Sequence, residues 1–270
     1  MRLFRFATRY GLVEHARNRF AMLLVAVFLP VWVIMTGWAV AKEPVQFRLH
    51  STRHVLTADS DKITQITGAL NGVTLIIGFM MFAATFSNGA FDRRLSMAGF
   101  PRVPLGLAKV ACLVIASVAV CSYATAVICC FWSPRQPVLL AAALFGTAMT
   151  YGALGVALGT LLRREVEGMF AIVMISVVDL GLQNPLASGA DSGMVRWLPS
   201  YGAMQAATAA GFSTAVPAVD FAVQLVWFTA GTLISLLAFH RRTRSALTAA
   251  ARIGWQAGAG PVPFGKAANR

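Results

Sequence analysis

Apolar residues gather in six stretches along the chain, and polar residues collect between them. A helix of about 20 residues crosses the ~30 Å hydrocarbon core of a bilayer and satisfies its own backbone hydrogen bonds there. Each stretch is near that length, so the pattern predicts an all-α integral membrane protein with six transmembrane helices. The stretches are Phe20 to Ala41, Ile66 to Ser87, Leu105 to Trp132, Val138 to Leu162, Gly168 to about Leu186, and Phe221 to Phe239.

Two further segments are amphipathic or too short to span. The first, Arg2 to Arg19, separates its residues on a helical wheel, with Leu3, Phe6, Tyr10 and Val13 on one face and Arg2, Arg5, Arg9 and Arg19 on the other. A basic amphipathic helix of this kind lies in the membrane interface. The second, Tyr201 to Phe212, falls between the fifth and sixth stretches in a region rich in Gly and Pro. Its length predicts an outer interfacial or re-entrant helix.

Composition and charge fit a membrane protein of defined orientation. Hydrophobic residues make up 57% of the 270 residues and charged residues 12%, where a soluble domain carries about a quarter charged residues. Seventeen Lys and Arg residues lie on the side of the N terminus and six on the other. Positive residues accumulate on the cytoplasmic side, so both termini are expected in the cytoplasm, with the chain in the cell membrane. The net charge of +13 is then an orientation signal and does not indicate nucleic-acid binding.

We interpret residues 1–270 as a single transmembrane domain. It comprises the amphipathic helix at 1–19, the six-span bundle at 20–239 and a basic, partly flexible cytoplasmic tail at 240–270. Within the fourth stretch, Gly155 and Gly159 form a Gly-x-x-x-Gly pattern, which allows two helices to approach closely. We expect it to serve packing within the chain in preference to a dimer seam.

Residues that could carry catalysis are scarce. Gly260 to Ala267 approaches a phosphate-binding loop, but Ala267 stands where Ser or Thr would bind Mg²⁺, and no strand precedes it. His50 and His54 are four residues apart without a third metal ligand. The four cysteines show no metal-ligand spacing. The sequence therefore predicts no catalytic, cofactor-binding or metal-binding residues, and the chain is not expected to be an enzyme.

Three polar residues fall within or at the end of apolar stretches. Asp179 lies in the fifth stretch, Gln183 follows one helical turn later, and Asn71 lies in the second stretch. Ionisable groups in lipid usually face a cavity or a partner. Two alternatives remain open for Asp179: it lines a substrate path, together with Gln183 and Asn71, or it reaches the outer interface or caps the next helix.

The order of these parts resembles the type-2 permease family of ATP-binding-cassette (ABC) exporters. The most specific local match is Phe91 to Arg102, where a charged cluster leads into small residues and Pro101. Leu105 to Lys109 follows and is similar to the family's leucine, glycine, lysine entry to the third span, with Ala108 where glycine is usual. The resemblance extends over nearly the whole chain.

The resemblance implies a permease subunit that binds no cofactor itself. ATP and Mg would bind to separate ABC ATPase subunits, and a second permease, identical or paralogous, would complete a dimer. Gly89 to Pro104 would be the main coupling helix, Arg163 to Glu167 a smaller contact, and Arg2 to Arg19 the connecting helix. The residues assigned to ATPase coupling are Asp92, Arg93, Arg94, Arg102, Arg163, Arg164 and Glu165.

The spans lack rings of charge, which disfavours a strongly ionic cargo. An amphipathic or hydrophobic substrate (drug, lipid or peptide), exported by alternating access, is the expectation. The alternative is a membrane anchor, sensor or immunity subunit that binds a partner protein without transporting anything.

Overall fold

The computed structural model describes residues 2–49, 55–98, 102–187 and 193–258, and that part of the chain is mostly helical. It contains nine α-helices, two strands, a π-helical turn at Leu24–Phe28 and a 3-10 turn at Gly193–Trp197. The helices are α1 (Arg2–Arg17), α2 (Arg19–Leu23), α3 (Leu29–Trp38), α4 (Ser60–Met97), α5 (Arg102–Phe131), α6 (Pro137–Leu161), α7 (Glu165–Gln183), α8 (Tyr201–Phe212) and α9 (Ala218–Gly258). The strands are β1 (Pro44–Arg48) and β2 (Val55–Asp59).

Within the described residues, five segments are long and apolar enough to cross a membrane. They agree with the first, second, third, fourth and sixth predicted stretches and are compatible with a multi-pass membrane protein. The helix α7 covers most of the predicted fifth stretch but is not one of these five, so the count of six stays a prediction. The five segments are Ala21–Trp38, Ser60–Gly89, Leu105–Phe131, Pro137–Leu161 and Ala218–Ala238.

The segment between the first two spans folds into an antiparallel hairpin of β1 and β2, in which Phe47 pairs with Leu56. Side chains alternate between the two faces of a strand, and Phe47 points inward with Leu49 onto Ile63 of α4 and Ala209 of α8. The prediction of an all-α fold therefore needs one addition, because the structure is mostly helical with this hairpin at one end. We call this the hairpin end of the bundle and the opposite end, where α1 lies, the α1 end.

The central contact of the bundle is between α4 and α6. A Cβ atom on Gly155 would lie 2.4 Å from the carbonyl oxygen of Gly78, and one on Gly159 would lie 3.0 Å from that of Phe82. Only glycine permits this approach of two helix backbones. The Gly-x-x-x-Gly pattern thus packs α6 against α4 inside the chain, as predicted.

The first span is interrupted where Pro30 breaks its hydrogen-bond ladder. Proline has no N–H to donate to the carbonyl four residues earlier, which belongs to Ala26. The backbone widens into the π-helical turn Leu24–Phe28, where the N–H of Leu29 bonds to the carbonyl of Leu24. The hydroxyl of Tyr123 on α5 donates to the freed Ala26 carbonyl at 3.3 Å. A neighbouring helix thus satisfies the group that proline leaves unpaired.

The predicted tail at 240–270 begins as helix, because α9 continues to Gly258. The near-match to a phosphate-binding loop, Gly260 to Ala267, lies outside the described residues, as do His50 and His54.

Candidate functional site

Asp179 is fully buried near the carboxyl end of α7 and accepts hydrogen bonds from three directions. The hydroxyl of Tyr151 on α6 donates to its Oδ2 at 2.7 Å. The backbone N–H of Ser200 donates to the same oxygen at 3.1 Å. The amide of Gln183, one turn further along α7, donates to its Oδ1. A buried carboxylate requires such donors because its water shell has been removed.

The bond from Ser200 places the carboxylate at the start of α8. Ser200 is the N-cap residue of that helix, and the N-terminus of a helix carries unpaired N–H groups and a partial positive charge. A carboxylate at this position therefore stabilises the helix. Of the alternatives raised by the sequence, this geometry corresponds to Asp179 capping the next helix.

The helix α8 is enclosed by protein along its length, with every residue from Tyr201 to Gly211 buried. Its 12 residues span about 18 Å, which is too short to cross a bilayer. Unpaired backbone groups in such a helix would be costly in an apolar environment.

Both ends of α8 are satisfied by groups from other elements. At the first turn, the N–H of Ala203 donates to Gln224 Oε1 on α9 at 3.2 Å. At the last turn, the N–H of Gln136 donates to the Ala210 carbonyl at 2.9 Å, and that of Arg135 to the Gly211 carbonyl at 3.2 Å. These bonds tie α8 to α9 and to the connection between α5 and α6.

A second polar layer lies one turn below Asp179, toward the α1 end. Asn71 of α4 donates from Nδ2 to the hydroxyl of Ser176 on α7 at 3.0 Å. The Thr74 hydroxyl lies 2.6 Å from the same oxygen. A third group joins α9 to α6, where Gln224 Nε2 donates to Thr150 Oγ1 at 2.6 Å.

The structure brings the three predicted path residues into one region between α4, α6, α7 and α8. Asp179 and Gln183 are 0% and 3% exposed. Both carboxylate oxygens of Asp179 accept from protein donors, whereas Oε1 of Gln183 is buried without a hydrogen-bond partner. In this conformation the region is a closed hydrogen-bonded seam between helices. Opening a passage along it would require α7 and α8 to separate from α6.

Sequence reasoning missed six members of these polar groups: Thr74, Thr150, Tyr151, Ser176, Ser200 and Gln224. Gln224 could have been found, since it is an amide inside the sixth apolar stretch. The hydroxyl residues gave no comparable signal, because Ser, Thr and Tyr are ordinary in membrane helices.

The residues assigned to ATPase coupling lie around the α1 end. Gly89 to Met97 continues α4 and forms no separate helix; Arg94 is exposed, whereas the side chains of Asp92, Arg93 and Arg102 lie outside the described ones. Arg163 and Arg164 are exposed between α6 and α7, and Glu165 is exposed at the first position of α7. Arg164 pairs with Glu167 at 3.7 Å, an exposed contact of small energetic weight.

The amphipathic helix α1 has a third face that the sequence did not predict. Its predicted apolar face remains exposed, with Phe6 71% and Tyr10 59% accessible. A different face packs on the bundle, where the Cys112 thiol of α5 donates to the Thr8 carbonyl at 3.5 Å. Burial lowers the pKa of His15 on this packed face, and the nearby charge of Glu14 offsets part of that effect.

Comparisons of the chain with models of known protein families and with curated proteins found no match. The resemblance to type-2 permeases stays an interpretation of the order of elements and of residues 91–109.

Proposed function

We propose that this chain is the membrane-embedded permease subunit of an ATP-driven exporter, working with separate ABC ATPase subunits and a second permease. The observation that carries the proposal is the single long helix α4. It begins beside the hairpin and ends at the charged segment that resembles a coupling helix. One continuous helix thus joins the proposed ATPase contact to the buried seam.

The length of α4 supports this role. Its 38 residues extend about 57 Å at 1.5 Å per residue, which exceeds the ~30 Å hydrocarbon core. Part of the helix must therefore stand outside the lipid. With the α1 end in the cytoplasm, that part includes the charged residues Asp92, Arg93 and Arg94, which a soluble ATPase could contact.

The packing of α4 would allow a movement at the α1 end to reach the helices around Asp179. Along its length it contacts α3, α5, α6, α7 and α8. Near the α1 end, Asn88 of α4 is held by Glu14 of α1 through two 2.8 Å hydrogen bonds. A displacement of residues 89–104 would be carried by α4 toward the helices that enclose Asp179. Rocking of helices around such a seam is one way to alternate access.

Copurification tests the partnership. A tagged chain purified in mild detergent from its native membranes should bring with it an ABC ATPase subunit and ATPase activity. The double substitution Arg93→Glu and Arg94→Glu should lower both by about tenfold, because two attractive charges become repulsive at the contact. The matched control is Arg48→Glu, an exposed arginine in β1 at the hairpin end, which should change neither. Absence of an ATPase from the wild-type preparation, or equal recovery with the double variant, would contradict the proposal.

Reconstitution separates transport from partner binding alone. Vesicles containing the complex should move a fluorescent phospholipid or a cationic amphiphilic dye only when ATP is supplied. A complex that binds the ATPase but moves neither probe would favour the alternative of a non-transporting anchor, sensor or immunity subunit.

A further inference from the structure

Two adjoining cavities lie beside α1 at the α1 end of the bundle. The first, of about 330 Å³, is lined by α1, α4 and α5, and the second, of about 340 Å³, by α1, its C-terminal flank and α4. Both fall in the size range of small-molecule sites. Four residues line both cavities, namely Tyr10, Glu14, His15 and Ala84.

The two cavities differ in chemistry. The first has a largely apolar wall that includes Phe6, Met81, Leu95 and Leu105. Its polar lining, besides the shared Glu14 and His15, is Thr85, Asn88 and Lys109. The second cavity is lined instead by Arg17, Asn18 and Ser87. An amphiphile with an apolar chain and a polar head matches this division.

Glu14 lies where the cavities meet. Its two carboxylate oxygens each accept from Nδ2 of Asn88 at 2.8 Å. A carboxylate has about four acceptor positions, so one neutral donor leaves capacity for another. Among the side chains that the structure describes, no basic group forms an ion pair with Glu14. Burial lowers the pKa of the neighbouring His15 and so disfavours its charged form, although the charge of Glu14 offsets part of that effect.

The exposed apolar face of α1 suggests where a ligand would come from. Phe6, Tyr10 and Val13 are exposed on the same helix that lines the cavities. In a membrane such a face would enter the boundary between headgroups and acyl chains. Phospholipid headgroups are concentrated at that depth.

We propose that the two cavities bind one phospholipid whose headgroup carries a primary ammonium. The ammonium donates to the Glu14 carboxylate, the phosphate lies at Arg17, and an acyl chain follows the apolar wall of the first cavity. The ring of Tyr10, one turn before Glu14 on α1, adds a favourable face for the cation. Such a site requires only that α1 lie at a membrane surface, and it does not depend on the transport function proposed above.

The headgroup chemistry separates this lipid from its competitors. A primary ammonium has three N–H donors for a carboxylate, whereas the quaternary ammonium of phosphatidylcholine has none. Phosphatidylglycerol carries no cation and a net negative charge, which Glu14 repels. It should bind through the basic face of α1 alone.

Native mass spectrometry of the detergent-purified chain, titrated with each lipid, tests the site. Wild-type protein should bind phosphatidylethanolamine about tenfold more tightly than phosphatidylcholine, the value of one charge-assisted hydrogen bond. Glu14→Gln should remove that preference and leave binding of phosphatidylglycerol unchanged or raised. The matched control is Glu43→Gln, the same change at an exposed residue near the hairpin, which should keep the preference.

Equal binding of the two zwitterionic lipids to the wild type, or a preference that survives Glu14→Gln, would overturn the proposal. A second variant, Ala84→Leu, fills space that both cavities share and leaves the charge of Glu14 in place. It should weaken binding of phosphatidylethanolamine. Unchanged binding to this variant would also overturn the proposal. A single-chain alkylammonium that displaces the lipid, with an affinity independent of Arg17, would assign the cavities to an amine cargo in place of a phospholipid.

Discussion

A single carboxylate, Asp179, joins three helices at the hairpin end. It belongs to α7, it accepts from Tyr151 of α6, and it caps α8 through the N–H of Ser200. Removing it affects more than one contact, because each donor left behind is buried and loses its partner. If Asp179 serves only to cap α8, its substitution should change stability alone. If it lines a substrate path, a substitution that preserves stability should still change transport.

Asp179→Leu should destabilise the protein by about 3 kcal/mol, since it leaves the Tyr151 hydroxyl and the Ser200 N–H unpaired. Asp179→Asn should cost under about 1 kcal/mol. Its remaining oxygen can serve both donors, and the Gln183 amide can rotate to accept from the new NH₂ group. Tyr151→Phe, which removes one donor, should lie between them. Reversible unfolding in detergent micelles measures all three.

Equal stability of Asp179→Leu and the wild type would contradict the capping role. An Asp179→Asn variant with normal stability but altered transport would instead place the carboxylate on a substrate path.

Part of this site could be predicted at the residue scale. Asp179 and Gln183 are four residues apart on one helix, and that spacing alone brings their side chains together. Tyr151 and Ser200 are 28 and 21 residues away in sequence. Their positions depend on how α6 and α8 pack, which no local pattern specifies.

Among the helices, α8 is the one whose burial depends most clearly on the elements packed around it. The sequence predicted its bounds, Tyr201 to Phe212, because it is a short apolar piece between Gly- and Pro-containing segments. It could not predict complete enclosure, since a helix that is apolar on every face has no directional pattern to show which side is covered.

The hairpin was missed because each strand has five residues, too few for a clear alternation of apolar and polar side chains.

Gly202 permits the close contact between α8 and α9. A Cβ at this position would lie 2.1 Å from the carbonyl oxygen of Asp220, a backbone atom that cannot rotate away. Gly202→Ala should therefore destabilise the protein by about 1–3 kcal/mol through overpacking. The control is Gly181→Ala on α7, where nothing lies within 4 Å. That change should be neutral or stabilising by up to about 1 kcal/mol, because alanine favours helix. Thermal unfolding of both variants checks the contrast, and similar midpoints for the two would show that α8 tolerates movement away from α9.

For the whole molecule, the orientation in the membrane decides whether the proposed ATPase contact is possible. The excess of Lys and Arg predicts that the α1 end faces the cytoplasm. In the part of the chain that the structure describes, α4 and α6 end, and α5 and α7 begin, at the α1 end, so Arg94 and Arg164 lie at the same end as α1. Native cysteines are poor reporters of this orientation. Cys112 is buried under α1 and would react slowly on either side, while Cys129 and Cys130 are exposed on an apolar helix surface.

Two exposed arginines at opposite ends of the bundle provide a matched pair. Arg48 lies on β1 at the hairpin end, and Arg164 lies between α6 and α7 at the α1 end. In a cysteine-free background, Arg48→Cys should react with a membrane-impermeant maleimide on intact cells. Arg164→Cys should react only after the membrane is permeabilised, which also controls for its intrinsic reactivity. The reverse order would place residues 89–104 outside the cell, where no ATP-driven subunit operates, and the proposed coupling would be excluded by topology alone.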